Sequence, residues 1–573
     1  MISRRTFLQS VSGLAATTTA VSLKSKMAHA RPQSSIPDLN SLSIEEKVGQ
    51  MVIARFEDWP LMEKYARQGI ISGMTPSLRD KSLSEAALFL NHFQSISKYP
   101  LLFGWGGQHP GATQVRSEQL MRLGATRSKE LCYRAAKIEA KESRALGIHL
   151  ANMPYLDVNT NPDNPIINLR SLGDRPELVT ELGIELCRGT LDGRAASVPA
   201  HFPGHGATSS DSHIDIPVVD RTLSELEEVD LKPFAEVIRL GLARLVMTNH
   251  CYYPALEPER KIPATISRKI ITGILRQKLG FQGVIISDSL TMRAIKDHYG
   301  IEEAAIETVV AGHDLILQDY NSEPKITIDA LVRAVRQGRI PAGQIDESVR
   351  RVWELKAWLG LFADRTVEVP ALEQRIATEN NQALARRIAQ EGVTVLENKG
   401  LPLGKWDGQR VMVISNGSRG TIDEDLEWQH SPANHFFNRR MLHRLPEARP
   451  ITLSTDFTKE ELERTAEAAR ESDTIVFGLF TRVRAYDEDS IRIDKRYGEL
   501  IRAIASSGKR VVFCNFGNPW VVGELPKAAI CLCTFSDAED SIEAAAQVLF
   551  GELTAKGKLP IKISSDYPFG FGL

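Results

Sequence analysis

The chain has 573 residues, more than one ordinary domain, and its 42% hydrophobic and 25% charged residues are typical of a globular protein with large buried cores. Lysine plus arginine (70) nearly balance aspartate plus glutamate (72), which leaves a formal net charge of -2 and no long run of one sign. The length predicts two domains. The charge balance argues against a nucleic-acid-binding surface and a polybasic membrane patch, and it favours a small or neutral molecule as the partner.

The first 30 residues predict export rather than folded structure. Arg4 and Arg5 stand in SRRTFL, an apolar stretch follows, and Ala28-His29-Ala30 ends it. This order resembles a bacterial twin-arginine signal with an A-x-A cleavage site, and the stretch is too short and too weakly apolar to span a membrane. We therefore expect a mature protein without a membrane span that lies in the periplasm or outside the cell.

Short apolar runs alternate with helical patterns in the first part of the chain, for which we predict a domain over residues 31–365. The runs are VGQMVIARF (48–56), GIISGMTP (69–76), YPLLFGW (99–105), HLANMPYLDV (149–158), RAASVPAHF (194–202), LARLVMTNH (242–250), FQGVIISDSL (281–290) and HDLILQ (313–318). Between the third and fourth runs, Leu131, Ala135 and Ile138 fall on one helix face. The alternation predicts an α/β fold with a parallel sheet closed into a TIM-like (β/α)8 barrel, and an open doubly wound sheet is the alternative.

A second alternating block follows a polar stretch at 366–385, which we interpret as a linker. Its apolar runs are RVMVIS (410–415), DTIVFGLF (473–480), KRVVFCNF (509–516) and AAICLCTF (528–535). Near-continuous apolar strands of this kind are buried on both faces, so residues 386–573 are predicted to form a smaller α/β (αβα) sandwich. The six cysteines show no C-x-x-C spacing, and we predict that they are free and buried, with a pairing of Cys514 with Cys531 or Cys533 on adjacent strands as the alternative.

A loop rich in glycine and proline carries three histidines in the first domain. Residues 199–217 read PAHFPGHGATSSDSHIDIP and contain His201, His205 and His213. Pro203 and Gly204 prevent a continuous helix, so these histidines are not the i, i+4 ligand pair of a helical zinc motif. A zinc site made by the three histidines and Asp211 remains an alternative to a catalytic loop.

Polar side chains follow several predicted strands, where a barrel holds its catalytic groups. They are Asp157, His201, His250 and Asp288. Asp288 comes directly after the buried run GVIIS, where a carboxylate must turn into a cleft or carry a large desolvation penalty, so it is the best candidate for a nucleophile. Capping of the next helix is the alternative role. Asp211-Ser-His213 can supply a proton donor, because a carboxylate bonded to one imidazole nitrogen fixes the tautomer and leaves the other nitrogen to carry the proton.

Several segments resemble glycoside hydrolase family 3, in that family's order. In the first domain they are SIEEKVGQM (43–51), LGATRSKELCYRAAKIEAKESRALGI (123–148), LDVNTNPDNPIINLRSLG (156–173), HFPGHGATSSDSH (201–213), LVMTNHCYYPALEPERKIPATIS (245–267) and LGFQGVIISDSLTM (279–292). The second block resembles the family's C-terminal sandwich through EGVTVLENKGLPL (391–403), GELTAKGKLPIKI (551–563) and YPFGFGL (567–573). The D-S-H sequence after H-F-P-G-H-G is similar to the β-N-acetylglucosaminidase branch.

The resemblance implies an exo-acting retaining β-N-acetylhexosaminidase that needs no metal or organic cofactor and acts on a β-linked, amino-sugar-containing glycan. It implies Asp288 as the nucleophile, His213 as the acid/base on a hinged loop, and Asp211 as the partner of His213. It also implies that Arg170 and His201 touch hydroxyls of the sugar, and we expect Asp157 and His250 to line the same subsite.

Two departures from the family pattern fall on the side of the subsite that holds sugar hydroxyls. Members usually read K-H-F-P-G-H-G, whereas this chain has Ala200 in place of the lysine. Members also usually carry an acidic residue after the third strand, and LLFGWGGQHPG (101–111) has none. Each lost charged hydrogen bond removes about 1.5–3 kcal/mol of binding. We expect Trp105, through its apolar face, or Gln108 or His109 to replace some of these contacts.

Three other functions stay open. Related β-glucosidases take a glutamate from the second domain as acid/base, and Glu488 in TRVRAYDEDS would be that residue here. A degenerate carbohydrate-binding protein without turnover is a second alternative. A phosphorylase is the third, because a histidine acid leaves no second negative charge beside the intermediate and phosphate could compete with water. The intact set of Asp288, Asp211 and His213 favours an active hydrolase.

Overall fold

The computed structural model describes residues 36–78, 80–104, 113, 119–150, 154–318, 322–370, 372–403, 409–417, 433–454 and 456–573. Within these ranges the chain forms two domains, each built on a largely parallel sheet. No helix in the described part combines the length and the apolar character needed to cross a bilayer.

The first domain is a closed ring of parallel strands. Its strands are β1 (Val52–Ala54), β2 (Gly73–Met74), β3 (Leu102–Phe103), β4 (Leu245–Met247), β5 (Val284–Ile286) and β6 (Ile316–Gln318). They form two parallel groups, β3-β2-β1-β6 and β4-β5. Single parallel bridges join the groups, and they are Gly104–Leu150, Tyr155–Ala200, Phe202–Thr248 and Ile286–Leu315. Because these pairings give each strand position a neighbour on both sides, the predicted (β/α)8 barrel is confirmed and the open sheet is wrong.

Helices cover the outside of this ring. They are α1 (Ile44–Gly49), α2 (Trp59–Gln68), α3 (Leu83–Ile96), α4 (Met121–Thr126), α5 (Lys129–Leu146), α6 (Pro176–Asp192), α7 (Leu223–Glu225), α8 (Leu231–Arg239), α9 (Arg293–Ala311), α10 (Pro324–Arg336) and α11 (Ala342–Trp358), with a π-helix at Lys269–Lys278. Helix α5 begins where the side chain of Ser128 accepts a hydrogen bond from the amide of Leu131, and it buries Leu131 and Ala135 as predicted.

The second domain is a mixed sheet between two layers of helices. Its strands are β7 (Thr394–Asn398), β8 (Val411–Asn416), β9 (Arg449–Leu453), β10 (Thr474–Leu479), β11 (Arg510–Asn515) and β12 (Ile530–Cys533), and its helices are α12 (Glu379–Gly392), α13 (Ala433–Arg444), α14 (Lys459–Arg470), α15 (Lys495–Ser506) and α16 (Glu539–Leu549). The strand order is β7-β12-β11-β10-β8-β9, with only β7 antiparallel to its neighbour. Apolar clusters on both faces of the sheet confirm the predicted sandwich.

Three features of the second domain go beyond the sequence patterns. Strand β9 is largely exposed and contains Pro450, as suits an edge strand, so it lacks the apolar run that marks β8, β10, β11 and β12. Strand β7 lies in the family motif EGVTVLENKGLPL (391–403), which is not among the apolar runs that predict strands. Helix α12 begins at Glu379, inside the stretch interpreted as a linker, and buries Leu384 and Ile388 against the barrel core.

The two domains pack against each other over buried apolar side chains. Met121, Ala125 and Leu169 of the barrel belong to the same apolar cluster as Leu559 and Ile561 near the end of the chain. All six cysteines are buried and free, as predicted. The interface matters for function because it brings a loop of the second domain onto the barrel face described next.

Candidate active site

Asp288 lies just beyond the carboxyl end of β5, at the face of the barrel where the candidate residues meet. One of its carboxylate oxygens accepts a hydrogen bond of 2.7 Å from the amide of Ser289. Burial alone would raise the pKa of Asp288, but the nearby imidazoles of His250, His201 and His213 hold it below its ordinary value. The carboxylate is therefore ionised at neutral pH, which is the state a nucleophile requires.

His250 lies behind Asp288 and is fully enclosed. Its Nε2 donates to the backbone oxygen of Ser289 at 2.9 Å, and its Nδ1 lies 2.8 Å from the hydroxyl of Thr265. Burial lowers the pKa of His250, while the charge of Asp288 opposes that effect. These contacts fix the ring of His250 next to the Asp288–Ser289 turn and hold the backbone of Ser289 in place.

Asp157 connects the start of the histidine loop to the barrel. Its Oδ2 accepts from His201 Nδ1 at 2.8 Å, and its Oδ1 accepts from the amides of His201 and His205 at 3.3 and 2.6 Å. Burial would raise the pKa of Asp157, and the charge and hydrogen bond of His201 lower it below its ordinary value. Asp157 is completely buried, and its hydrogen bonds hold the ring of His201 and the backbone of the loop in place.

The loop 203–213 is held along its length. A Cβ at Gly206 would lie 2.0 Å from the backbone oxygen of Val158, so only glycine allows this approach. Thr208 donates its hydroxyl to the backbone oxygen of His205, so it accepts from His205 Nδ1 at 2.8 Å. His205 Nε2 then accepts from the hydroxyl of Ser212 at 3.2 Å. Burial lowers the pKa of His205 to about 4, so its ring is neutral and Nε2 can accept from Ser212. His205 thus links the barrel to Ser212, which lies between Asp211 and His213.

Asp211 and His213 form a hydrogen-bonded pair at the end of this loop. Asp211 Oδ1 accepts from His213 Nδ1 at 2.7 Å and from the amide of His213 at 2.9 Å. Burial would raise the pKa of Asp211, but the hydrogen bond and charge of His213 and the amide of Tyr486 hold it below its ordinary value. Because an ionised carboxylate only accepts, Nδ1 carries a proton and Nε2 is the nitrogen left to exchange one.

Contacts with the second domain complete the surroundings of Asp211. The amide of Tyr486 donates to Asp211 Oδ2 at 2.8 Å, and the amide of Asp211 donates to Glu488 Oε1 at 2.9 Å. The rings of Tyr486 and His213 meet edge to face, with centroids 5.1 Å apart. The sequence singled out Glu488 only as an alternative acid/base, and no signal in it indicated Tyr486.

Arg170, Tyr155 and His201 form a stack in the candidate site. The guanidinium of Arg170 lies 4.2 Å from the ring centroid of Tyr155, and the ring of Tyr155 stacks on His201 with centroids 5.1 Å apart. Tyr155 also pairs with Ala200 in the barrel sheet. Arg170 and His201 thus both contact Tyr155, a residue that no sequence pattern selected.

The zinc alternative has no support in the described ranges. They contain no group of three or more histidine, cysteine, aspartate or glutamate side chains placed to hold a metal ion. His201, His205 and His213 are instead each engaged by a different partner. Trp105, Gln108 and His109, which we expected to replace the missing contacts, lie outside the described residues.

Comparison with protein families matches both domains. Residues 43–355 match the family described as "Glycosyl hydrolase family 3 N terminal domain", and residues 393–568 match "Glycosyl hydrolase family 3 C-terminal domain". Together these matches extend over most of the chain and include every residue of the candidate site.

Individual relatives agree with these matches. The chain is 32% identical to "Beta-hexosaminidase A" of Pseudoalteromonas piscicida over 54% of this chain and 56% of that protein, so it spans just over half of that relative. It is 26% identical to "Beta-N-acetylglucosaminidase/beta-glucosidase" of Cellulomonas fimi over 91% of this chain and 94% of that protein. A solved glycoside hydrolase family 3 β-N-acetylglucosaminidase from Paenibacillus sp. str. FPU-7 superposes with a TM-score of 0.81 at 31% identity, covering 91% of this chain and 99% of that one.

Proposed function

Because the chain belongs to glycosyl hydrolase family 3, we propose that it is an exo-acting, retaining β-N-acetylhexosaminidase that uses Asp288 as nucleophile and Asp211–His213 as acid/base pair. The observation that carries this proposal is the 2.7 Å hydrogen bond from His213 Nδ1 to Asp211, on a loop whose histidine acts electrostatically on Asp288. The names of the similar proteins from Pseudoalteromonas, Cellulomonas and Paenibacillus support the same substrate class.

In the first step, the ionised carboxylate of Asp288 attacks the anomeric carbon of the sugar and the glycosidic bond breaks. His213 Nε2 gives its proton to the departing oxygen, so the leaving group departs as a neutral alcohol. The pKa of Asp288, which lies below its ordinary value next to the imidazoles of His250, His201 and His213, keeps the carboxylate ionised before the attack. The product of this step is a glycosyl ester on Asp288.

In the second step, His213 is neutral and Nε2 accepts a proton from a water molecule. The water oxygen attacks the anomeric carbon, the ester to Asp288 breaks, and the sugar leaves with its original β configuration. The carboxylate of Asp211 stabilises the imidazolium that forms on His213, because the two groups share a short hydrogen bond. The same nitrogen thus serves as acid and then as base.

We also propose that the sugar subsite is altered relative to the usual family pattern. Ala200 offers no side-chain donor, and the adjacent Tyr155 lies between Arg170 and His201. Arg170 and His201 are the groups proposed to contact sugar hydroxyls in this arrangement. Asp157 and His250 are proposed to act through His201 and Asp288, since both are fully buried.

A substrate comparison tests the proposed activity. We expect the purified mature chain to hydrolyse aryl β-N-acetylglucosaminide with a kcat/KM at least about tenfold above that for the matching β-glucoside, because one lost hydrogen bond to the acetamido group costs about a factor of ten. Release of the aryl group gives the rates, and NMR of the first-formed sugar gives the configuration. Preference for the glucoside, an inverted product or no hydrolysis of either substrate would contradict the proposal.

We further propose that the protein is exported through a twin-arginine signal. The support is the order of Arg4-Arg5, an apolar stretch and Ala28-His29-Ala30 in the sequence. We expect the full chain, expressed in a bacterium with twin-arginine export, to lie in the periplasm or medium about 30 residues shorter. The double variant Arg4→Lys/Arg5→Lys should stay in the cytoplasm at full length. Fractionation and the N-terminal mass measure both, and identical distribution of the two proteins would refute export by this route.

A further inference from the structure

Among the described residues of the second domain, the segment 481–492 reaches the candidate acid/base pair. It follows strand β10 and includes a short helix, Glu488–Ile491. Its own domain holds it firmly, because Arg482 is paired with Asp537 and the side-chain amide of Asn518 donates to the backbone oxygen of Ile491 at 2.9 Å. The amide of Arg484 also donates to the hydroxyl of Ser490 at 3.0 Å, which closes the segment on itself.

The segment docks on the barrel through contacts of different kinds. Ala485 and Val483 pack against Ile166 and Ile167 in a small apolar cluster. Arg492 pairs with Asp163 of the barrel at 2.9 Å. These contacts flank the two residues that touch the acid/base loop, so the segment has a defined position on the barrel face.

The segment engages Asp211 on both its backbone and its side chain. The amide of Tyr486 donates to Oδ2, and Glu488 accepts from the amide of Asp211. Oδ1 is already used by His213, so the Tyr486 contact is the one that holds the second carboxylate oxygen among the described residues. The ring of Tyr486 then rests on His213 itself.

The backbone of Tyr486 is in an unusual conformation at this contact. Its φ is 66°, in the left-handed region that tyrosine rarely adopts. This conformation presents the amide of Tyr486 to Asp211 while its ring packs on His213. Strained residues that the surrounding structure holds in place are concentrated at functional sites, which makes this one informative.

We propose that Tyr486 and Glu488 are positioning residues through which the second domain completes the active site by fixing the Asp211–His213 pair. This inference rests on the proposed role of that pair in catalysis. A proton donor must stay within a fraction of an ångström of its productive position, and displacement by about 1 Å can cost about 100-fold in rate. On the barrel side, His213 contacts Asp211 and the hydrogen bond between His205 and Ser212 holds the residue between them, and the second domain adds the contacts of Tyr486 and Glu488 to Asp211.

The alternative for Glu488 is that it donates the proton itself, as in the β-glucosidase-type mechanism. The structure offers a different use for its carboxylate, since Oε1 accepts from the amide of Asp211 at 2.9 Å. The two roles differ in what they require. A positioning acceptor needs only an oxygen at that place, whereas a proton donor needs an ionisable group.

The test compares Glu488→Ala with Glu488→Gln, and uses Asp489→Asn in the same segment as a charge-matched control. Asp489 is exposed, and its carboxylate lies 3.9 Å from Arg492. We expect Glu488→Ala to lower kcat by about 10- to 100-fold on a phenyl β-N-acetylglucosaminide, whose unactivated leaving group needs a proton. A 2,4-dinitrophenyl group leaves without a proton. With that substrate, Glu488→Ala should lower the rate of glycosyl-enzyme formation by no more than about threefold. Glu488→Gln keeps an acceptor oxygen and should retain at least half of the activity, as should Asp489→Asn.

A double variant tests independently whether Glu488 acts through His213. If Glu488 acts through His213, adding Glu488→Ala to His213→Ala should lower the rate by less than about twofold further, because the group being positioned is already gone.

Tyr486→Gly should lower the rate of the poor-leaving-group substrate while raising or maintaining the melting temperature, since it relaxes the backbone and removes only the ring. The inference is overturned if Glu488→Ala matches the wild type, if Glu488→Gln is as slow as Glu488→Ala, or if both substrates lose equally. A failure of the proposed function would show separately, as a His213→Ala variant with full activity.

Discussion

Replacing Asp288 with asparagine should lower kcat/KM for an aryl β-N-acetylglucosaminide by about 10⁴-fold or more. The amide is nearly isosteric and its oxygen can still accept from the amide of Ser289, so the local structure should persist. It cannot form the glycosyl ester, however, because it lacks the charge and nucleophilicity of a carboxylate. Steady-state kinetics measure the loss, and thermal unfolding checks that the variant is folded.

The control for this prediction is Asp297→Asn, which removes an exposed carboxylate paired with Arg293 on the following helix. It should leave the activity within about twofold of the wild type. A slow fluorinated substrate adds a direct observation, since it should label the peptide that contains Asp288 and no other. Labelling of a different carboxylate, or an Asp288→Asn variant with more than about a tenth of the activity, would rule out the assigned nucleophile.

Replacing His213 with alanine should cost about 10²- to 10⁴-fold in kcat/KM on a substrate with a poor leaving group. The same variant should form the glycosyl-enzyme from a 2,4-dinitrophenyl substrate at close to the wild-type rate, because that leaving group departs without a proton. Hydrolysis of the intermediate then becomes limiting, since no base remains to activate water. A rapid burst of dinitrophenol followed by slow turnover is therefore the expected time course.

His298→Ala is the matched control, because this exposed histidine also pairs with an aspartate, Asp215, close to the same loop. We expect it to behave like the wild type on both substrates. Added azide should restore turnover of the His213→Ala intermediate, since a small anionic nucleophile needs no base. If both leaving groups were slowed equally by His213→Ala, the loss would come from misfolding or substrate binding and the acid/base assignment would be wrong.

Local sequence patterns were sufficient for the parts of the protein that depend on neighbouring residues. The alternation of apolar runs with helical periodicity predicted the barrel and the sandwich, because a buried parallel strand and an amphipathic helix each leave a periodic signal. Asp157, His201, His250 and Asp288 could be selected because each directly follows an apolar run. The edge strand β9 could not, because its exposed residues and Pro450 carry no such signal.

Only the tertiary structure decided which of these residues support one another. Asp211 and Tyr486 are 275 positions apart, and their contact depends on how the second domain packs on the barrel, which no local periodicity reports. The stack of Arg170, Tyr155 and His201 likewise joins side chains from different barrel segments. The sequence by itself determined the fold class, which follows from the order of buried and polar residues along the chain, and it supplied the candidate catalytic groups through that order and through the resemblance to glycoside hydrolase family 3. The tertiary structure decided the burial that sets the pKa of Asp288 and the hydrogen bonds that hold Asp211. Both arise only when segments distant in the sequence come together and exclude water.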